Sequence, residues 1–221
     1  MLSLPEYTPA LRDRFAAHGY LPLPSLIPTG ALPVLAHEVG RLEELAVRRD
    51  FAMASTDSSP RHMTTLGGHA IARHSRLICD LYRREDLLSW IGAVAGIEAV
   101  EVQDLLERHV INILHQQGDT HGAHTDDYPI ALVLFVEAPA QAADGGLLEY
   151  TPHHAALSGL ESAAARRAHH LPGQGYLLRA DTTAHRVTPL NGPGLRRAVL
   201  NLAYTTPDRQ QARTTSAAQL Y

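Results

Sequence analysis

The stretch Gly118-Asp119-Thr120-His121-Gly122-Ala123-His124-Thr125-Asp126-Asp127-Tyr128-Pro129, followed at once by Ile130-Ala131-Leu132-Val133-Leu134-Phe135-Val136, decides how this chain folds. The continuous apolar run predicts a buried strand. Immediately before it stands His124-x-Asp126. Residues i and i+2 of a strand point to one face, so an imidazole and a carboxylate at this spacing can aim at a single ion. A third ligand then has to come from another strand, and His185, in His185-Arg186-Val187-Thr188-Pro189, is placed to supply it.

An H-x-D pair alone is common. Its flanks give this one weight: the β-rich run Arg108-His109-Val110-Ile111-Asn112-Ile113-Leu114 precedes it, and Gly194-Leu195-Arg196-Arg197 leads into a further strand, Ala198 to Thr205. Two imidazoles and one carboxylate fill one face of an octahedral Fe(II) and leave three positions open. Short β-like runs near 109–115, 130–137, 147–151, 174–179, 185–189 and 197–205 alternate with turn signals such as Asp144-Gly145-Gly146 and Asn191-Gly192-Pro193-Gly194. Many short strands between turns predict a sandwich or jelly roll. The expected class is α+β: a double-stranded β-helix, a squashed jelly roll of cupin-like form, backed by N-terminal helices.

The first hundred residues predict that helical layer. Leu32, Val34, Leu35, Val39, Leu42, Leu45 and Ala46 recur at helical spacing, and a second helical stretch runs from about Ala70 to Val94. Residues 52–68 are polar and rich in Gly, Pro and Ser, a loop signal; residues 155–170 form a long insertion with helical character. The 221 residues suit one domain, with 1–100 mainly helical and 101–210 carrying the β-helix core and the metal site. Net charge is −4, and no basic run suggests nucleic acid. The one cysteine, Cys79, fits a reducing cytoplasm. Neither a secretion signal nor an 18-residue apolar span is expected. No oligomeric state is specified.

On these residues the chain resembles the iron(II)/2-oxoglutarate-dependent oxygenases: His124-x-Asp126, Gly145-Gly146-x-Leu148-Glu149, His185-x-Val187-x-Pro189 and an arginine shortly after. Gly118 to Tyr128, together with Pro60-Arg61-His62-Met63, Glu107 and the Asn201 strand, resembles more closely the subgroup of radical halogenases and hydroxylases of free amino acids. Halogenases of that subgroup replace the metal carboxylate with glycine or alanine. Asp126 fills the position here, so the resemblance implies a hydroxylase that uses Fe(II), 2-oxoglutarate and O2 on a small molecule.

In that setting His124, Asp126 and His185 hold iron, and an arginine fork holds the distal carboxylate of 2-oxoglutarate. Arg196 and Arg197 both fit the spacing. Strand parity puts Arg197, Val199, Asn201 and Ala203 on the more polar face, which favours Arg197 as the cofactor-binding residue and Arg196 as the outward one. By resemblance, Arg61 and His121 take a substrate carboxylate, Asn201 contacts the backbone end of the substrate, and Asp127 and Glu107 accept from ammonium groups, which favours a basic amino acid such as lysine or ornithine. Plainer readings stand beside these: Arg61 in a solvated loop, His121 as a loop histidine, Asp127 capping a turn before Pro129, Glu107 on a strand edge beside Arg108. Asn201 is harder to treat so, because asparagine is depleted in strands. Other readings are the same chemistry on another natural-product intermediate, a cupin-like metal-binding or isomerase domain without 2-oxoglutarate, and a non-catalytic binding module.

Overall fold

The structure, a computed structural model, describes residues 1–210 and 217–221. In chain order the elements are α1 (Pro9–His18), β1 (Tyr20–Leu23), α2 (Leu32–Glu43), β2 (Val47–Met53), β3 (Ser59–Leu66), α3 (Gly68–His74), α4 (Arg76–Tyr82), α5 (Glu85–Ala95) and β4 (Val100–Glu101). There follow β5 (His109–Leu114), β6 (Thr120–His124), β7 (Ile130–Glu137), β8 (Leu148–Thr151), β9 (Arg166–Ala168), β10 (Gly175–Arg179), β11 (Ala184–Val187), β12 (Arg197–Thr205) and α6 (Ala217–Leu220). All strand pairs are antiparallel, in the order β1-β10-β7-β12-β5-β3-β6-β11-β8-β9, with β2 on β3 and β4 on β12. The sheet curls on itself as a double-stranded β-helix, the expected fold class.

The apolar run of β7 is unbroken because both its faces are buried. Ile130, Leu132, Leu134 and Val136 pack outward with Ala198, Leu200, Leu202 and Tyr204 of β12 and with the helices, through Leu35, Val39 and Leu42 of α2 and Leu87, Trp90, Ile91 and Val94 of α5. Ala131, Val133 and Phe135 turn inward, with Val199, Tyr176 and Leu178. The helices thus brace the outer face of the strands whose inner face lines the cavity. Each fully buried Leu, Ile or Val on that face contributes about 1.5–3 kcal/mol relative to exposure.

The N-terminal third departs from the sequence expectation in several places. Residues 47–66 form the β2–β3 hairpin, where a loop was expected over 52–68. Its turn rests on Asp57 and Ser58, both left-handed at φ 53 and 57, a conformation asparagine-like and small polar residues reach without glycine. The expected helix from Ala70 to Val94 is three helices. Ser75 takes an extended φ of −135, and its hydroxyl accepts the Ile78 N–H to start α4 anew. Val34 and Leu45, counted with the apolar stripe of α2, are exposed. The 155–170 insertion holds a 3₁₀ turn (Leu157–Glu161) and β9, because Arg167 pairs there with the buried Glu149 across the sheet. Among the described residues, no helix is long and apolar enough to cross a membrane.

Candidate metal centre and ligand cavity

His124 and His185 are directly opposed across the β6–β11 pair, and the register slips just beyond them, between His185 and Val187. Each ring is fixed from two residues back on its own chain segment: Nδ1 of His124 lies 2.7 Å from the Gly122 carbonyl and Nδ1 of His185 lies 2.9 Å from the Thr183 carbonyl. A carbonyl only accepts, so both Nδ1 atoms carry hydrogen and both Nε2 atoms are left as the ligating nitrogens. These Nε2 atoms lie 3.4 and 3.5 Å from Asp126 Oδ1. One ligand atom from each of the three residues falls within 4.8 Å of the others. The donor set and its fixed tautomers fit a divalent metal with open positions.

One expectation needs correction. β6 ends at His124, so Asp126 is not its i+2 strand mate. Asp126 sits in the following loop, where its N–H donates to the Ala180 carbonyl at 2.9 Å.

Burial holds the His124 imidazole well below its usual pKa, and the neighbouring His121 and His185 rings push the same way. For His185 burial is the largest single influence and pulls down, but the Asp126 carboxylate and the Thr183 carbonyl together raise the pKa.

A cavity of about 470 Å³ opens from this centre. Every candidate site residue except Arg196 lines it: Arg61, Glu107, His121, Asp127, Arg197 and Asn201 join the three metal-ligand candidates. Arg196 points out and pairs with Glu43 and Glu137 at 2.8 and 2.7 Å. Arg197, 3% exposed, lies with its guanidinium 4.9 Å from the Phe135 ring centre and touches Tyr176. Arg61, 1% exposed, is on β3 and not in a solvated loop. It stands directly across from His121 on β6, and His121 stacks on His124 at 4.1 Å.

The polar atoms left unsatisfied point to what the cavity takes. Arg61 Nε, His121 Nε2, Arg197 Nε and Asn201 Oδ1 are all buried without a hydrogen-bond partner, and all four residues line this one cavity. Burial lowers the Arg61 pKa to about 10 and lowers that of Arg197. Among the described residues the Arg61 guanidinium donates to neutral acceptors, with Ser59 Oγ at 2.6 Å, the Pro60 carbonyl and Thr56 Oγ1 among them. Two buried cations facing one cavity call for anionic ligands. The opposite charge is also present. Burial raises the Tyr128 phenol, and Glu107, Asp104 and Asp127 add to the rise; Glu107 and Asp126 act likewise on Tyr221.

Sequence reasoning missed Tyr176 and Asn112. Tyr221 closes one wall of the cavity and bonds Asn112, whose Oδ1 in turn faces the Thr65 hydroxyl at 3.0 Å. The only available signal for Asn112 was the one used for Asn201, an asparagine inside an apolar strand.

A curled antiparallel sheet with this site at its mouth is the double-stranded β-helix of the 2-oxoglutarate oxygenases. The chain belongs to the Halogenase D family, whose model matches residues 4–220. No curated protein matches it. Among solved structures it is similar to the epimerase SnoN of nogalamycin biosynthesis in complex with Fe3+, alpha ketoglutarate and nogalamycin RO (TM-score 0.69, 13% identity, 89% of this chain and 82% of that one). It is also similar to HygX from Streptomyces hygroscopicus with nickel and 2-oxoglutarate bound (0.67, 13%, 94% and 91%) and to a Pseudomonas putida prolyl-4-hydroxylase (0.59, 18%, 89% and 97%). At these identities the likeness is one of fold.

Proposed function

We propose that this protein is an Fe(II)/2-oxoglutarate-dependent dioxygenase that hydroxylates an unactivated C–H of a free amino acid, a basic one such as lysine or ornithine. The observation that carries the reading is the set of unsatisfied atoms on one cavity beside the metal centre: the Nε atoms of two buried guanidiniums and the Asn201 carbonyl oxygen. Two guanidiniums suit two carboxylates, that of 2-oxoglutarate and that of a substrate. The Asn201 oxygen is an acceptor for an ammonium.

His124, Asp126 and His185 would hold the iron. Arg197 would hold the distal carboxylate of 2-oxoglutarate in its fork, with Phe135 and Tyr176 fixing the guanidinium. When bound, iron and 2-oxoglutarate would activate O2, which is the oxidant, with 2-oxoglutarate oxidised to succinate and CO2 as the co-products. Arg61 and His121 would bind the substrate carboxylate, and Asn201 its α-ammonium. Glu107 and Asp127 line the same cavity and give it an acidic side, which supports a cationic side chain. Val110, Ala131, Val133, Leu178, Val199 and Ala203 make the apolar walls that keep water from the reacting carbon. The free Cys79 agrees with a cytoplasmic setting, and one domain over 1–221 agrees with a helical layer packed on the sheet.

The family's name raises halogenation as a second reading. Halogenases of the subgroup this chain resembles carry glycine or alanine at the metal carboxylate, whereas Asp126 brings its oxygen to both histidine nitrogens. A filled position leaves a halide no ligand site, which favours hydroxylation. The test is succinate formation from 2-oxoglutarate by iron-loaded protein, with and without lysine, in chloride and in chloride-free buffer. Turnover that needs lysine and ignores chloride supports the proposal; turnover that needs chloride overturns it.

A further inference from the structure

The three metal-ligand candidates are held by different means. Each imidazole is fixed by a carbonyl two residues back on its own chain segment. Asp126 has no strand beneath it, and its position depends on a knot between two loops. Its N–H donates to the Ala180 carbonyl at 2.9 Å, and the Ala180 N–H donates to the Pro129 carbonyl at 3.0 Å. Arg209, in the 3₁₀ turn Pro207–Arg209 that follows β12, reaches this knot from a third segment. Its Nη1 donates to Asp181 Oδ2 at 2.6 Å, and its Nη2 donates to the Asp127 carbonyl at 2.9 Å. One guanidinium thus ties the residue after Asp126 to the residue after Ala180.

We propose that Arg209 is a positioning residue for the metal carboxylate: its fork locks the 127–128 peptide that follows Asp126 so that Asp126 Oδ1 stays at the point shared by the two Nε2 atoms. The inference rests on the metal reading above. The chemistry favours arginine for this task. Its donors lie in one rigid plane and reach acceptors on two segments at once, whereas an ammonium is a point charge on a flexible stem. The Arg209 side of the Arg209–Asp181 pair is exposed to 39%, so the pair's own contribution to stability is small. Its effect on geometry is another matter. Groups that orient a ligand from behind typically change metal affinity 10- to 100-fold. Without the fork, the 127–128 peptide loses one of the bonds that set its angle, and the carboxylate is free to rotate away from the histidines.

The experiment titrates Co(II) into metal-free wild type, Arg209→Gln, Arg209→Lys, Asp181→Asn, Asp126→Ala and His124→Ala, reading the visible spectrum of bound Co(II) and the melting temperature of each metal-free protein. The expected result is an affinity loss of about tenfold or more for Arg209→Gln, a Co(II) spectrum shifted toward that of Asp126→Ala, and a metal-free melting temperature near the wild type's. Arg209→Lys, with charge but no fork, should resemble Arg209→Gln more than wild type. Asp181→Asn keeps an acceptor for Nη1 and should fall between wild type and Arg209→Gln. Wild-type affinity and spectrum in Arg209→Gln would overturn the proposal. So would an affinity loss with an unshifted spectrum and a collapsed metal-free melting temperature, which would make Arg209 a general brace. If wild type and His124→Ala bind Co(II) alike, the metal reading itself has failed, and this inference fails with it.

Discussion

Arg196 and Arg197 are adjacent in the chain and end on opposite faces of the sheet. Arg196 is neutralised outside by Glu43 and Glu137; Arg197 is enclosed inside, over Phe135, with its Nε unsatisfied. Only the inner one is available to a ligand of the cavity.

Arg197→Ala should therefore raise the 2-oxoglutarate requirement strongly. Removing one partner of a buried charged pair costs about 2–5 kcal/mol, or roughly 30-fold at the least. Arg197→Lys should recover only part, because it lacks the fork. Arg196→Ala should leave the KM for 2-oxoglutarate within about twofold of wild type, since a surface pair is worth about 0–1 kcal/mol. Steady-state kinetics with varied 2-oxoglutarate checks all three. A silent Arg197→Ala beside a damaged Arg196→Ala would reverse the assignment.

Asp126→Ala should weaken iron binding and abolish hydroxylation, because a ligand and its charge are both lost. By the same removal, a position opens for an exogenous anion. Metal titration and a hydroxylation assay in chloride and in sulfate read this directly. Full hydroxylation by Asp126→Ala would remove the carboxylate from the triad.

Acid should destabilise the fold before its carboxylates titrate. Burial lowers His109 to about 4, and it lowers His170 to about 3, with Arg197 adding to the fall. Both are neutral when folded, while the unfolded chain binds protons on them below its pKa of about 6.5. The unfolded state thus gains protons first, and stability falls as pH drops from about 6.5 toward the folded values. Between pH 6 and 5 each histidine should remove roughly 1 kcal/mol. Urea unfolding of wild type and His170→Gln at pH 7, 6 and 5 tests the sign; Gln keeps a partner for the Tyr20 hydroxyl, which now lies 2.9 Å from His170 Nε2. An equal pH slope in the two proteins would contradict the account.

The parts of the fold written in local pattern were legible. β7 could be read because a strand buried on both faces is apolar throughout, and the face of β12 that holds Arg197 and Asn201 could be read because alternation is strict there. The β2–β3 hairpin was not, because its turn uses Asp57 and Ser58 in left-handed conformations with no Asn-Gly or Asp-Gly signal. The site divides in the same way. His124 and Asp126 stand in one short motif and His185 in a second, but what positions Asp126 stands in neither: the Ala180 carbonyl and Arg209 arrive from distant segments, and no spacing rule connects them. Tyr176 and Tyr221 reach the cavity only once the sheet curls.

The central claim is that one cavity joins an iron/2-oxoglutarate centre to a pocket for a basic amino acid. The most direct measurement is a panel of lysine, ornithine, arginine, leucine, norleucine and glutamine with iron-loaded protein, 2-oxoglutarate and O2, following succinate and a product heavier by one oxygen atom. The account predicts that lysine or ornithine gives the fastest succinate release and a matching amount of hydroxylated product. Faster turnover with norleucine or leucine would contradict the role given to Glu107 and Asp127, and no succinate with any member of the panel would contradict the amino acid reading itself.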